Sequence, residues 1–272
     1  MERAQTVERA MRLLAAFSED EPEMTVAEIA RRLELPRTIV VRLVDTLASA
    51  GYLERSARDG RYRIGLAAFK LGSLYAATNP LHAYISSELA DLASETGYTA
   101  YFGVLDGAEV VIISHHEGRL PVRFVWTAGD RLPAATTALG KAMLSQLDMQ
   151  QLDAALGNDR LRGLTEHSLA TREELDRQLS EIRERGWALA RDESAIGITA
   201  VGSAVLNTHG APLGGLSLSF LDYPHDPAHL KDVGTIVHKA SVRATERVAF
   251  YEHYGHRAVA TSSGRRSRFA RT

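Results

Sequence analysis

The sequence has 272 residues, a length that fits two domains of ordinary size and excludes a single minimal domain. The hydrophobic content of 45 % and charged content of 24 % are typical of globular proteins, and the net charge of −2 means that any nucleic-acid-binding surface must be local. Cysteine is absent, which excludes disulfides, cysteine zinc sites and thiol nucleophiles, and suits a reducing compartment.

The N-terminal segment MERAQTVERAMRLLAAF predicts a helix rather than a signal peptide, because charged residues interrupt its apolar ones. Its apolar residues recur at steps of three and four, which indicates one buried face formed by Val7, Ala10, Leu14 and Phe17. No apolar run of the chain approaches the ~20 residues that a membrane helix needs. We therefore expect a soluble, cytoplasmic protein.

Two further helices and a hairpin follow. Thr25 and Glu28 form a capping box that starts a short helix. Pro36 suits the first position of the next helix, and Gly51 suits the position just past its end. The inner side of that helix carries Ile39, Val40, Leu43 and Leu47. Residues 52–55 and 61–64 read as two strands, so residues 1–64 are predicted to form a winged helix-turn-helix.

The remainder predicts a linker helix over residues 65–79 and a second domain over residues 80–254. Its strands are expected at residues 98–105, 109–114, 122–126, 187–191, 198–206 and 213–220, and its helices at 81–96, 137–146, 148–156, 171–186 and from 227 onward. Runs of strands flanked by helices favour an α+β domain with a mainly antiparallel sheet. Residues 255–272, basic and without an acidic side chain, are expected to be a disordered tail.

The first module carries a local cluster of basic residues. The outward positions of its third helix are Arg37, Thr38, Val41 and Arg42, where arginine can bind a guanine edge and valine can contact a thymine methyl group. Phosphate contacts are expected from Arg31 and Arg32 on the preceding helix and from Arg58, Arg61 and Arg63 on the wing. Two alternatives stay open: solvated arginines, and a winged helix that binds protein instead of DNA.

The chain resembles the IclR family of transcriptional regulators over residues 6–251. The segments that carry the resemblance are TVERAMRLLAAF, TVAEIARRLELPRTIVVRLVDTLASAGYLER, GRYRIGLAAFKLG, PLHAYISSELADLASETGYTAYF, LPAATTALGKAML and RDESAIGITAVGSAVLNTHGAPLGGLSLS. The resemblance implies a homodimer or homotetramer with a GAF-like domain that binds a small effector, often an organic or aromatic acid. It also implies a double-stranded, palindromic DNA operator. No cofactor is expected.

By the same resemblance, the effector pocket is lined by Phe124, Leu132, Ala138, Leu139, Asp192, Ile198, Ala200, Ser217 and Ser219. The two serines are two residues apart, so in a strand they share a face. The sequence departs from the family at Ala200, where many relatives have cysteine, and at Ile39 and Val41, where polar residues are common. Tyr101, Trp126 and Phe124 either add aromatic walls to the pocket or fill the core of the sheet.

An enzyme is the main alternative to a regulator. His115, His116 and Glu117 suggest a metal site, but adjacent residues of a strand point to opposite faces. The sequence contains no HExxH, Walker A, GxGxxG or GxSxG motif. We therefore expect neither catalysis nor a bound metal. A module that binds only protein would not need a basic wing.

Overall fold

The computed structural model describes residues 4–18, 21–78, 81–120, 126–157, 161–221 and 227–263. The chain divides into two compact units, Met1–Asn79 and Pro80–Thr272. Within the described ranges, no helix is both long and apolar enough to cross a membrane.

The first unit is the predicted winged helix-turn-helix. Its elements are α1 (Gln5–Leu14), β1 (Glu23–Met24), α2 (Val26–Leu33), α3 (Arg37–Ser49), β2 (Leu53–Arg55), β3 (Tyr62–Ile64) and α4 (Leu66–Thr78). The strands form an antiparallel sheet in the order β1-β3-β2. A single core joins α1, α2, α3 and the hairpin, with Leu13, Ile29, Val44 and Leu53 among its buried members.

Local signals at the helix ends explain these boundaries. The Thr25 hydroxyl accepts the backbone N–H of Glu28 at 3.3 Å, and the Glu28 carboxylate accepts the backbone N–H of Thr25 at 2.7 Å, so the capping box is confirmed. Gly51 has φ 77°, the left-handed conformation that glycine adopts readily at a helix end. Pro36 was predicted to be the first residue of α3, but it is the N-cap, and the helix begins at Arg37.

The predicted buried face of α1 is partly wrong. Val7 is 56 % exposed, whereas Leu13, which the prediction omitted, is fully buried. The steps of three and four fit either of two adjacent stripes on a helix, and packing against α2 and α3 selects the stripe that contains Leu13. In α3, Val44 belongs to the core and Ile39 is only partly buried.

The second unit is an α+β domain, as predicted. It contains α5 (Leu81–Thr96), β4 (Thr99–Asp106), β5 (Glu109–His116), β6 (Arg131–Pro133), a 3₁₀ turn (Ala134–Thr136), α6 (Ala138–Leu144), α7 (Met149–Leu156), α8 (Arg172–Arg185), β7 (Ala188–Arg191), β8 (Ile198–Leu206), β9 (Pro212–Leu221) and α9 (Pro227–Ser263). The strands form one antiparallel sheet in the order β6-β5-β4-β9-β8-β7.

Helices cover both faces of this sheet. On one face, α5 and α9 pack on residues of the sheet such as Phe102 and Leu216. On the other face, α6 and α8 pack on Tyr101 and Ala190. Side chains therefore alternate between two separate cores along each central strand, as expected for a sheet buried on both sides.

Two expectations need correction, and one lies partly outside the described residues. Residues 121–125, most of the predicted strand 122–126, are outside the described ranges, and the short strand β6 was not predicted. The predicted disorder from residue 255 is wrong as far as Ser263, because α9 continues to that residue. A lone glycine such as Gly255 costs a helix only about 1 kcal/mol relative to alanine, and no proline follows it. Residues 264–272 lie outside the described ranges.

Candidate nucleic-acid interface and effector site

The outward face of α3 is as the sequence predicts. Arg37, Thr38, Val41 and Arg42 are all exposed, on the side opposite the buried residues of the helix. Among the described residues, neither Arg37 nor Arg42 forms an ion pair or side-chain hydrogen bond. Both guanidinium groups are thus available to an external acceptor, which is what a base-reading helix requires.

The predicted phosphate-contacting arginines differ in how far they are engaged within the fold. Arg31 and Arg58 are exposed, and neither has an ion-pair partner in the described part of the chain. Arg32 pairs with Glu21 and donates to the carbonyl oxygen of Ala16 at 2.9 Å. On the wing, Arg63 pairs with Glu54 through exposed side chains.

Arg61 is the most heavily engaged of them. Its Nη1 lies 3.1 Å from Oε2 of Glu28 and its Nη2 lies 3.3 Å from Oε1, a bidentate pair. Nη1 also donates to the carbonyl oxygen of Glu23 at 3.1 Å. Hydrogen bonds from the backbone and hydroxyl of Thr25, and then the charge of Arg61, lower the pKa of Glu28. Arg61 therefore links the wing to the capping box of α2, and a phosphate would have to compete with these contacts.

The predicted effector residues on the strands share one face of the sheet. Ser217 lies opposite Tyr101 on β4 and Gly202 on β8, and Ser219 lies opposite Thr99 and Ala200. This is the face toward α6 and α8, because Tyr101 and Ala200 pack in that core. The two serine side chains therefore point to the same face, as the strand period predicts, with small residues on the β8 side and Tyr101 on the β4 side of Ser217.

Helix α6 lies directly on this face. A Cβ atom at Gly202 would come within 2.8 Å of the carbonyl carbon of Ala138 and 3.0 Å of the amide nitrogen of Leu139, so only glycine permits the approach. Thr137 caps the helix by accepting the backbone N–H of Gly140 at 2.9 Å. Ala138 and Leu139 are thereby held against β8, and Leu132 on β6 packs in the same core.

The loop between β7 and β8 closes one end of this region. Asp192 has a left-handed backbone with φ 59°, and its Oδ1 accepts the backbone N–H of Gly197 at 2.5 Å. The hydroxyls of Thr165 and Ser168 donate to the carbonyl oxygens of Asp192 and Glu193 at 2.6 and 2.7 Å. The segment of residues 165–168 thus holds the backbone of the β7–β8 loop in place. Ile198, at the start of β8, lies on the same face as Ala200.

The aromatic and histidine residues singled out in the sequence lie in different environments. Tyr101 is buried, and burial raises the pKa of its hydroxyl to about 12, while its oxygen accepts the backbone N–H of Trp126 at 3.2 Å. Tyr101 is therefore part of the hydrophobic core and also lies beside Ser217 on the serine-bearing face. Phe124 lies outside the described residues. His115 pairs with Tyr101 and His116 with Ala100, so the two imidazoles face opposite sides of the sheet, as expected.

Sequence reasoning missed one charged cluster on this side of the sheet. Lys141 of α6 is fully buried and pairs with Glu193, the residue after Asp192. The signal was available, since Lys141 is the one charged residue within the otherwise uncharged stretch LPAATTALGKAML.

Comparison with known proteins identifies the chain. A model of the IclR helix-turn-helix domain matches residues 6–57. A model of the bacterial transcriptional regulator IclR C-terminal domain matches residues 74–245. This chain belongs to the IclR family of transcriptional regulators. Such a regulator has a helix-turn-helix domain that binds DNA and a C-terminal domain that binds an effector.

Individual relatives are similar to this chain over nearly its whole length. The HTH-type transcriptional regulator XynR of Escherichia coli is 30 % identical over 246 residues, which cover 90 % of this chain and 98 % of that protein. The acetate operon repressor of Salmonella typhimurium is 27 % identical and covers 89 % of both chains. An IclR transcriptional regulator from Alicyclobacillus acidocaldarius has a similar solved structure, with TM-score 0.81, 25 % identity and coverage of 91 % of this chain and 100 % of that one.

An IclR homologue from Microbacterium hydrocarbonoxydans, solved in complex with 4-hydroxybenzoate, has the same fold. Its TM-score is 0.76 at 21 % identity, with coverage of 89 % of this chain and 98 % of that one.

Proposed function

We propose that this IclR-family regulator reads its operator with Arg37, Thr38, Val41 and Arg42, and that a small organic or aromatic acid controls it from the serine-bearing face of the second unit. The observation that carries the DNA assignment is the pair of exposed arginines on α3 whose guanidinium groups have no partner among the described residues. Arg31 and Arg58 supply further phosphate contacts.

The effector assignment is supported by the chemistry of the face toward α6. Ser217 and Ser219 offer hydroxyl groups that can hydrogen-bond a carboxylate or phenol, and they lie beside Ala200 and Gly202 on the face that α6 covers. Tyr101 provides an aromatic wall on the neighbouring strand. The complex of the Microbacterium hydrocarbonoxydans homologue with 4-hydroxybenzoate favours an aromatic acid.

Operator recognition is tested with DNA from upstream of the protein's own gene. We expect the protein to prefer that DNA over random duplex, with an affinity that falls steeply as salt rises, because bound phosphates release counterions. Equal affinity for both duplexes at moderate salt, with and without organic acids, would contradict the proposal.

Replacing Ser217 and Ser219 together by alanine should weaken the response to an organic acid by roughly 5- to 150-fold. Each net hydrogen bond contributes about 0.5–1.5 kcal/mol. A thermal-shift screen that includes 4-hydroxybenzoate finds the acid, and a titration of each variant measures the loss. Ser180→Ala, an exposed serine of α8, is the control. Operator affinity should stay unchanged, and an unaltered acid response in the double variant would remove both serines from the site.

Arg61→Ala and Arg58→Ala should weaken DNA binding in different ways. The side chain of Arg58 has no partner in the described part of the chain. Its loss should therefore lower the magnitude of the slope of log affinity against log salt concentration by about one unit. Arg61 holds the wing to Glu28, so its loss should weaken binding to all sequences with little change in that slope. Binding measured across a salt series distinguishes the two. If this slope fell by about one unit in Arg61→Ala, Arg61 would contact a phosphate after all.

Exposed apolar residues in the first unit support the assignment to a homodimer or homotetramer. Leu66 and Phe69 of α4 are each 72 % exposed, and Met11 of α1 is 58 % exposed. Such residues are costly to leave in water and are typical of a surface that another subunit covers. A two-fold oligomer would fit a palindromic operator in the cytoplasm. Sedimentation of the free protein tests this, and a monomer at micromolar concentration would contradict it.

A further inference from the structure

A buried ion pair lies beside the proposed effector site. Nζ of Lys141 donates to Oε1 of Glu193 at 2.6 Å and to Oε1 of Gln178 at 2.8 Å. The lysine side chain has 0 % exposure and the glutamate side chain 8 %. The second oxygen of Glu193, Oε2, is buried and has no hydrogen-bond partner among the described residues. Two charges removed from water in this way contribute little net stability, so the arrangement needs another explanation.

The pair joins three elements of the second unit. Lys141 belongs to α6, Gln178 to α8 and Glu193 to the loop between β7 and β8. Hydroxyl groups of Thr165 and Ser168 hold the backbone of the same loop. The backbone of the loop is thus fixed by the segment around residue 165, and its Glu193 side chain is fixed by α6.

Two of these elements, α6 and the β7–β8 loop, form two walls of the proposed effector site. Ala138 and Leu139 are on α6, one turn or less before Lys141, and Asp192 immediately precedes Glu193. We propose that Lys141 is a positioning residue, which holds the β7–β8 loop against α6 through Glu193 and so sets the distance between these walls. The inference rests on the proposed effector site for its functional meaning, but the loop geometry can be tested without any effector.

The direct test is hydrogen exchange measured by mass spectrometry on the full chain. In the double variant Lys141→Met with Glu193→Met, both charges are replaced by apolar side chains of similar length, a change that buried pairs commonly tolerate. Amides of residues 192–198 should exchange at least about 10-fold faster than in the wild type, because the loop opens locally. The hairpin of β4 and β5 should keep its rates. Arg131→Met, which breaks an exposed pair with Asp106 and Glu109, is the control.

Three results would overturn the inference. One is a folded double variant whose loop amides exchange within about twofold of the wild type. Another is faster exchange spread evenly over the second unit, which would show that the ion pair stabilises the whole unit and does not position the loop. If the double variant does not fold, Glu193→Gln preserves the shape of the side chain and should raise the loop rates about 3- to 10-fold; native rates there would also overturn it. Failure of the wild type to bind any organic acid would instead contradict the effector assignment and leave the exchange result standing.

Discussion

Replacing Lys141 alone by methionine is expected to destabilise the protein by about 3–5 kcal/mol near neutral pH, because Glu193 is then buried without its cation. Burial already raises the pKa of Glu193, and the charge of Lys141 opposes that rise. Without Lys141 the pKa of Glu193 in the folded state must rise further, so the carboxyl group takes up a proton in the folded variant.

The destabilisation should therefore depend on pH with a definite sign. A carboxyl group whose pKa is higher in the folded state favours folding when it is protonated, so the variant loses stability as pH rises from the unfolded pKa of about 4.5 toward the folded pKa. Each pH unit in that window costs about 1.4 kcal/mol. Urea unfolding at about pH 5 and about pH 8 should show a small and a large loss, respectively.

A second substitution isolates the cause of that loss. Adding Glu193→Gln to Lys141→Met removes the titrating group, so the steep loss of stability between the two pH values should disappear. A single variant whose loss is the same at both pH values would show that Glu193 is not left charged and buried, and that the cost comes from packing alone.

The first unit could be predicted from sequence because its signals are local. Thr25 and Glu28 are three residues apart, and the turn before α3 contains Pro36, so neighbours in the chain determine where the helices begin. The antiparallel order of β8 and β9 follows from a short turn in the same way. The strand period then places Ser217 and Ser219 on one face.

What the sequence could not predict depends on distant parts of the chain. Arg61 and Glu28 are 33 residues apart, and Lys141 and Glu193 are 52 residues apart. An arginine on a basic wing looks available for phosphate until its partner on another element is known. Likewise, the exposure of Val7 depends on which stripe of α1 the rest of the unit covers.

Replacing Arg42 by alanine is expected to relax base specificity by about 1–3 kcal/mol at one base pair, which corresponds to about 5- to 150-fold in relative affinity. Arg42 is exposed on α3 and has no side-chain partner in the described part of the chain, so it loses no contact within the fold when it binds a guanine edge. Its neighbour Val41 is 39 % exposed and apolar, which favours contact with a thymine methyl group and gives Arg42 a larger share of the polar readout.

The measurement is affinity for a set of operators in which each base pair is changed in turn. In the wild type, one guanine should be strongly preferred, and in Arg42→Ala that preference alone should weaken. Arg58→Ala is the matched control, because a phosphate contact changes affinity for every sequence about equally. If Arg42→Ala kept the full preference at every position and only lowered overall affinity, Arg42 would be a phosphate contact and base recognition would fall to Arg37 and Thr38.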